Sequence, residues 1–70
     1  MALKKRSFSL SRHRTSVALE PEFWAVLDGE AERAGKSLAA YVADVDRKHG
    51  MRPLASALRL AALAAVRGAE

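Results

Sequence analysis

The sequence predicts a small α+β fold, mostly helical, in which a strand runs straight into helices. Three observations carry this. Over Arg14-Thr15-Ser16-Val17-Ala18-Leu19, Thr15, Val17 and Leu19 alternate with Arg14, Ser16 and Ala18. That is the period of a half-buried strand, and the β-branched residues favour it. Pro21 follows between Glu20 and Glu22 and reads as a first helical turn, where its missing N–H is not needed and carboxylates suit the positive helix end. Downstream, apolar residues recur at helical spacing. A lone strand of this kind cannot hide its own edge or apolar face, so the chain is expected to form a homodimer.

Each helix has its own logic. In the first, about Pro21 to Ala34, Phe23, Trp24, Leu27, Ala31 and Ala34 fall within an arc of roughly 100°, and Gly35 supplies the stop. Gly29, on the polar side, costs about 1 kcal/mol relative to Ala, and nothing in the sequence explains it. In the second, Ser37 reads as the N-cap, Leu38, Tyr41, Val42 and Val45 share a face, and Gly50 ends the run. His49 continues that apolar face as a boundary or capping residue. The third, about Pro53 to Val66, carries two apolar ridges, Leu54-Leu58-Ala61-Ala65 and, nearly opposite, Leu60 with Leu63. Such a helix wants burial on two sides, either across a dimer or against a protein partner. With Arg59 inside, it is too short to span a bilayer.

A chain of 70 residues makes one domain and, at this size, buries roughly 60% of its unfolded surface, so association is a common support. There is no cysteine, which fits a reducing cytoplasm. The basic start, Met1 to Arg6, has no apolar run behind it and does not read as a signal peptide. Charge is placed unevenly. Residues 1–14 carry Lys4, Lys5, Arg6, Arg12 and Arg14 with no acid, whereas the remainder carries seven basic and eight acidic side chains. Ser7, Ser9, Ser11, Thr15 and Ser16 add hydroxyls over the same stretch, a mixture that phosphate backbones attract.

Phe8 and Leu10 are apolar at even positions and Thr15, Val17 and Leu19 at odd ones, so an uninterrupted strand would put the two sets on opposite faces. Something between Ser11 and His13 must reset the register. Residues 7–10 are read as an extra short strand folded back on the ribbon, with an ordered arm or a disordered tail as the alternatives. The chain divides into a basic arm over 1–13, a core over 14–50, and a third helix and tail over 51–70.

The order strand, helix, Gly35-Lys36-Ser37-Leu38, helix resembles the ribbon-helix-helix family of dimeric DNA-binding proteins, like the methionine and Arc repressors. Arg6-Ser7-Phe8-Ser9-Leu10, His13-Arg14-Thr15-Ser16-Val17, Glu20, Phe23-Trp24 and Ser56-Ala57-Leu58-Arg59-Leu60 are similar to a bacterial branch of it. The resemblance implies an intertwined antiparallel ribbon made by two chains, plus an extra C-terminal helix, with the ribbon in the DNA major groove. It implies that Thr15, Val17 and Leu19 face a dimer core together with Trp24, Leu27, Leu38, Tyr41, Val42 and Val45. Arg14, Ser16 and Ala18 would face the groove, where Arg14 can read guanine and Ala18 can touch a thymine methyl. Ala18 departs from the long polar side chain usual in the family. Lys36 and Ser37 match the family's phosphate anchor at a helix N-terminus, and Lys4, Lys5, Arg6, Arg12 and His13 complete the candidate DNA contacts.

Catalysis finds no support. His13 and His49 lie in unrelated segments without a metal-ligand set or a nucleophile-base pair, and no cofactor is expected. The expected function is a cytoplasmic, homodimeric regulator of transcription binding double-stranded DNA. The alternatives are an antitoxin-like or accessory module acting through the third helix, and a scaffold without sequence-specific binding.

Overall fold

A computed structural model describes residues 2–10, 13–48 and 50–69. Five elements follow in order: β1 (Lys4–Leu10), β2 (His13–Leu19), α1 (Pro21–Arg33), α2 (Leu38–Lys48) and α3 (Leu54–Ala69). The strands pair antiparallel as a two-stranded sheet, from Lys4 opposite Leu19 to Leu10 opposite His13. The strand that β2 needs beside it comes from the same chain. Every pair joins an even to an odd position, which is how Phe8 and Leu10 share a face with Val17 and Leu19. The reset lies at Ser11-Arg12, outside the described residues. β1 begins at Lys4, three residues before the stretch read as strand, because Arg6 occupies a helix-facing position with its guanidinium over the Trp24 ring, 4.8 Å from the centroid.

All three helices lie on one side of this sheet. The core gathers Phe8, Leu10, Val17 and Leu19 from the strands, Trp24 and Leu27 from α1, Val42 and Val45 from α2, and Ala57, Leu58 and Ala62 from α3. Trp24 is its largest member, 1% exposed, and its indole N–H donates to the Lys4 carbonyl at 2.8 Å. No buried polar side-chain atom among the described residues lacks a partner. Of the residues assigned to a dimer core, Val17, Leu19, Trp24, Leu27, Val42 and Val45 are buried within the single chain, and Thr15, Leu38 and Tyr41 are half-buried there.

The helix ends follow their sequences. After Ala34, Gly35 takes φ +70 and the Gly35 and Lys36 N–H groups return to the Glu32 and Ala31 carbonyls, a pair of bonds that closes α1 one residue earlier than the apolar arc reached. Ala34 is thereby left exposed. Ser37 Oγ accepts from the Ala40 N–H at 3.1 Å and caps α2. Pro53 stands just before α3 and offers its carbonyl to Ala57. α3 runs to Ala69, three residues past the predicted end, with Arg67 in its last turn suiting the negative helix terminus. Its first ridge packs inward through Leu58, while Leu60, Leu63 and Val66 are 40%, 50% and 47% exposed.

Two substitutions test this packing by urea unfolding. Leu58→Ala empties a fully buried site and is expected to cost about 2–5 kcal/mol. A methyl group at Gly29 would meet nothing within 4 Å, so Gly29→Ala should stabilise the chain by about 0.5–1 kcal/mol. A destabilised Gly29→Ala would mean that α1 is covered there in solution.

Candidate nucleic-acid interface

Opposite the helices the sheet presents a different chemistry. Strand alternation points Lys5, Ser7 and Ser9 of β1 and Arg14, Ser16 and Ala18 of β2 away from the core. The register brings them together as three cross-strand pairs, Lys5 with Ala18, Ser7 with Ser16 and Ser9 with Arg14. The two serine hydroxyls at the centre are hydrogen-bonded at 2.9 Å. Two cations sit at diagonal corners, the rest of the face is hydroxyl and methyl, and none of these six positions carries an acid. Among the described residues no carboxylate pairs with Lys5 or Arg14, in contrast to most of the basic side chains around them.

The remaining sequence candidates are placed elsewhere. Arg6 lies on the helix side, 2.9 Å from Asp28 and over Trp24. Lys4 and His13 share that side by register and are exposed at the strand ends. The Lys36 ammonium is held by Asp44, which also takes Arg47. The Gly35 and Lys36 N–H groups are engaged by α1 carbonyls and the Ser37 hydroxyl by the Ala40 N–H, so this turn is occupied by its own fold. Arg12 lies outside the described residues. Ser7 and Ser9 were not among the sequence candidates, although their alternation with Phe8 and Leu10 is the signal that would have found them.

Carboxylates behind the sheet fix its helices. Glu20, just before α1, accepts from Arg59 of α3 at 3.0 Å and 3.2 Å, and the same guanidinium lies 5.8 Å from the Phe23 ring centroid. The Glu20 carboxyl is held below its ordinary range by its main-chain N–H and then by Arg59. Asp44 is lowered chiefly by its bond from Lys36. Among the described residues no cluster of three or more His, Asp or Glu is arranged to hold a metal ion, and no helix is long and apolar enough to cross a membrane.

A family model described as a ribbon-helix-helix domain matches residues 3–66. The chain belongs to the ribbon-helix-helix family. The match takes in both strands, α1, α2 and most of α3, so the added strand and third helix lie within the matched region. Ribbon-helix-helix domains are in general DNA-binding folds rather than catalytic ones, and the polar sheet face lies on the element that gives the family its name. No curated protein and no solved structure matches the chain.

The depressed carboxyls set an acid limit. A carboxylate whose folded pKa lies below its unfolded one stabilises the fold above the unfolded value, and that stability disappears as pH falls through the folded value. Melting temperature should therefore decline below the ordinary carboxylate range as Glu20 and Asp44 protonate. Glu20→Gln should flatten part of that decline in thermal melts at successive pH values from neutral to acid. An unchanged acid profile would remove Glu20–Arg59 from the account.

Proposed function

We propose that the protein is a duplex-DNA-binding regulator of transcription, acting as a homodimer in the bacterial cytoplasm and laying the polar face of its β-sheet in the major groove. The observation that carries this reading is the six-residue face of Lys5, Ser7, Ser9, Arg14, Ser16 and Ala18, which has cations at two corners and no carboxylate. The major groove admits a two-stranded ribbon, and the groups on this one suit its contents. Arg14 donates two bonds to guanine O6 and N7, Ser16 bonds a base or a phosphate, and Ala18 lies against a thymine methyl. Lys4, exposed beside this face, supplies a phosphate contact.

Arg14→Ala should cost about 1–3 kcal/mol on the preferred duplex and flatten discrimination at the position it reads. Lys4→Ala should instead weaken preferred and scrambled duplexes alike and reduce the salt slope by about one. Titrations of both variants against both duplexes at several salt concentrations separate the two effects. Equal losses for Arg14→Ala on both duplexes would remove its base-reading role, and a parent protein that binds no duplex at low salt would end the regulator reading.

The outward ridge of α3 supports a protein contact beside DNA binding. Leu60, Leu63 and Val66 stand exposed in a row, and an apolar groove of about 120 Å³ next to them is lined by Phe23, Val26, Leu63 and Val66. A second copy seated there makes the homodimer, and an antitoxin-like or accessory protein would use the same face for a different partner. Leu63→Glu should turn a dimer into a monomer in sedimentation at micromolar concentration. If the parent is already monomeric, the ridge serves another partner.

A further inference from the structure

β1 and β2 are two versions of one strand. Lys4-Lys5-Arg6-Ser7-Phe8-Ser9-Leu10 aligns position by position with His13-Arg14-Thr15-Ser16-Val17-Ala18-Leu19. Lysine matches arginine at the second place, serine matches serine at the fourth, a large apolar residue follows, then a small one, then leucine. Exposure agrees at every position except Ser9 against Ala18. The pairing register is centred on this likeness. Ser7 stands opposite Ser16, and the ladder ends at Lys4 with Leu19 and at Leu10 with His13. An antiparallel pair has a local twofold axis through the middle of its ladder. Here that axis passes between the bonded Ser7 and Ser16 hydroxyls and exchanges Lys5 with Arg14, Ser9 with Ala18 and Leu10 with Leu19.

The helices follow the same exchange. α2 packs chiefly on β1 and α3 chiefly on β2. Their openings also correspond: Lys36-Ser37-Leu38-Ala39-Ala40-Tyr41-Val42 runs parallel to Arg52-Pro53-Leu54-Ala55-Ser56-Ala57-Leu58. Leu38 and Leu54 are both half-buried, and Val42 and Leu58 are both fully buried. One chain therefore repeats, strand for strand and helix for helix, the arrangement that a twofold axis between two chains would generate.

We propose that the DNA-reading ribbon is complete within one chain, with Lys5, Ser7 and Ser9 of β1 reading one half of a site as Arg14, Ser16 and Ala18 of β2 read the other. This rests on the DNA-binding reading above and adds β1 to its specificity residues. Groove width favours it. Paired strands lie about 5 Å apart, so one hairpin fits a groove of about 12 Å, whereas a partner's hairpin added at the free edge of β2 would set the outermost strands about 14 Å apart before side chains are counted. Lys5 and Arg14 are four residues apart along the ladder, about 13 Å, or on the order of four base-pair steps. Both can donate to guanine O6 and N7. The preferred duplex is thus a short near-palindrome with a guanine towards each end, one read by Arg14 and the other by Lys5.

Two measurements test this together. A mixed sample of isotope-labelled and unlabelled protein, examined by filtered NOE spectroscopy, should show the contacts between the Ser7 and Ser16 strands only within a chain. Selection from random duplexes, with parent, Lys5→Ala and Arg14→Ala proteins that melt alike, should show each variant losing discrimination at one end of the site only, by about 5- to 150-fold. Binding with strand contacts between chains overturns the proposal and leaves the DNA reading standing. So does an Arg14→Ala protein that loses both ends equally while Lys5→Ala loses neither. A parent protein with intrachain contacts that binds no duplex at low salt overturns both.

Discussion

Trp24 donates its indole N–H to the carbonyl of Lys4, has the Phe8 ring 6.0 Å away and carries the Arg6 guanidinium over its face. Three residues of β1 thus meet one buried side chain of α1. An isolated two-stranded hairpin is at best marginally stable in water and needs a packed layer behind it. Trp24 fixes that layer, and the ladder register then decides which side chains point to solvent. Were β1 shifted by one residue, Lys5, Ser7 and Ser9 would turn towards the helices and Phe8 would meet water. The composition of the outer face is a consequence of an aromatic anchor on the inner one.

The same anchoring sorts the positive charges. Arg6 holds Asp28 and Trp24, Arg59 ties α3 to Glu20, and Lys36 with Arg47 converges on Asp44. Exposed pairs of this kind are worth little individually, yet each removes a cation from the pool available to a ligand. Lys5 and Arg14 stand apart on the outer face. The basic excess counted along the sequence is therefore not a uniform cloud on an arm. Part of it fastens the sheet to its helices, and part is presented on a rigid plane, where its spacing can carry sequence information as well as attraction.

Much of this was legible in the residues, and the exceptions have physical causes. Pro21, Gly35 and Ser37 mark helix ends because their backbone or side-chain chemistry acts locally, and the phase change between Phe8-Leu10 and Thr15-Val17-Leu19 required a reversal. The first half of β1 was not legible, because Lys4-Lys5-Arg6 reads as charge. Arg6 nevertheless takes an inward position, since its stem can lie along apolar surface while its guanidinium reaches the ring and Asp28. Whether β2 would pair within its chain or outside it also lay beyond local pattern, because strand alternation specifies a face and not the owner of the neighbouring strand. The candidate site was partly legible for the same reason. Arg14, Ser16 and Ala18 follow from alternation, whereas Ser7 and Ser9 join them only once the partner of β2 is known.

The identity of that partner bears on what the ribbon can read. A ribbon built from two copies of one strand must present the same side chains to both halves of its site, so it is bound to symmetric sequences. Two strands within one chain are free to differ. Here they do, at the places that face outward: lysine stands against arginine, and serine against alanine, while the inward leucines and the central serines are the same. Arg presents a rigid fork and Lys a flexible point charge, so the two ends of the face are not equivalent readers. The positions that must fill a shared core have kept their character, and those that meet a ligand have diverged. Such a surface keeps the twofold geometry of a ribbon without its obligation to a perfect palindrome.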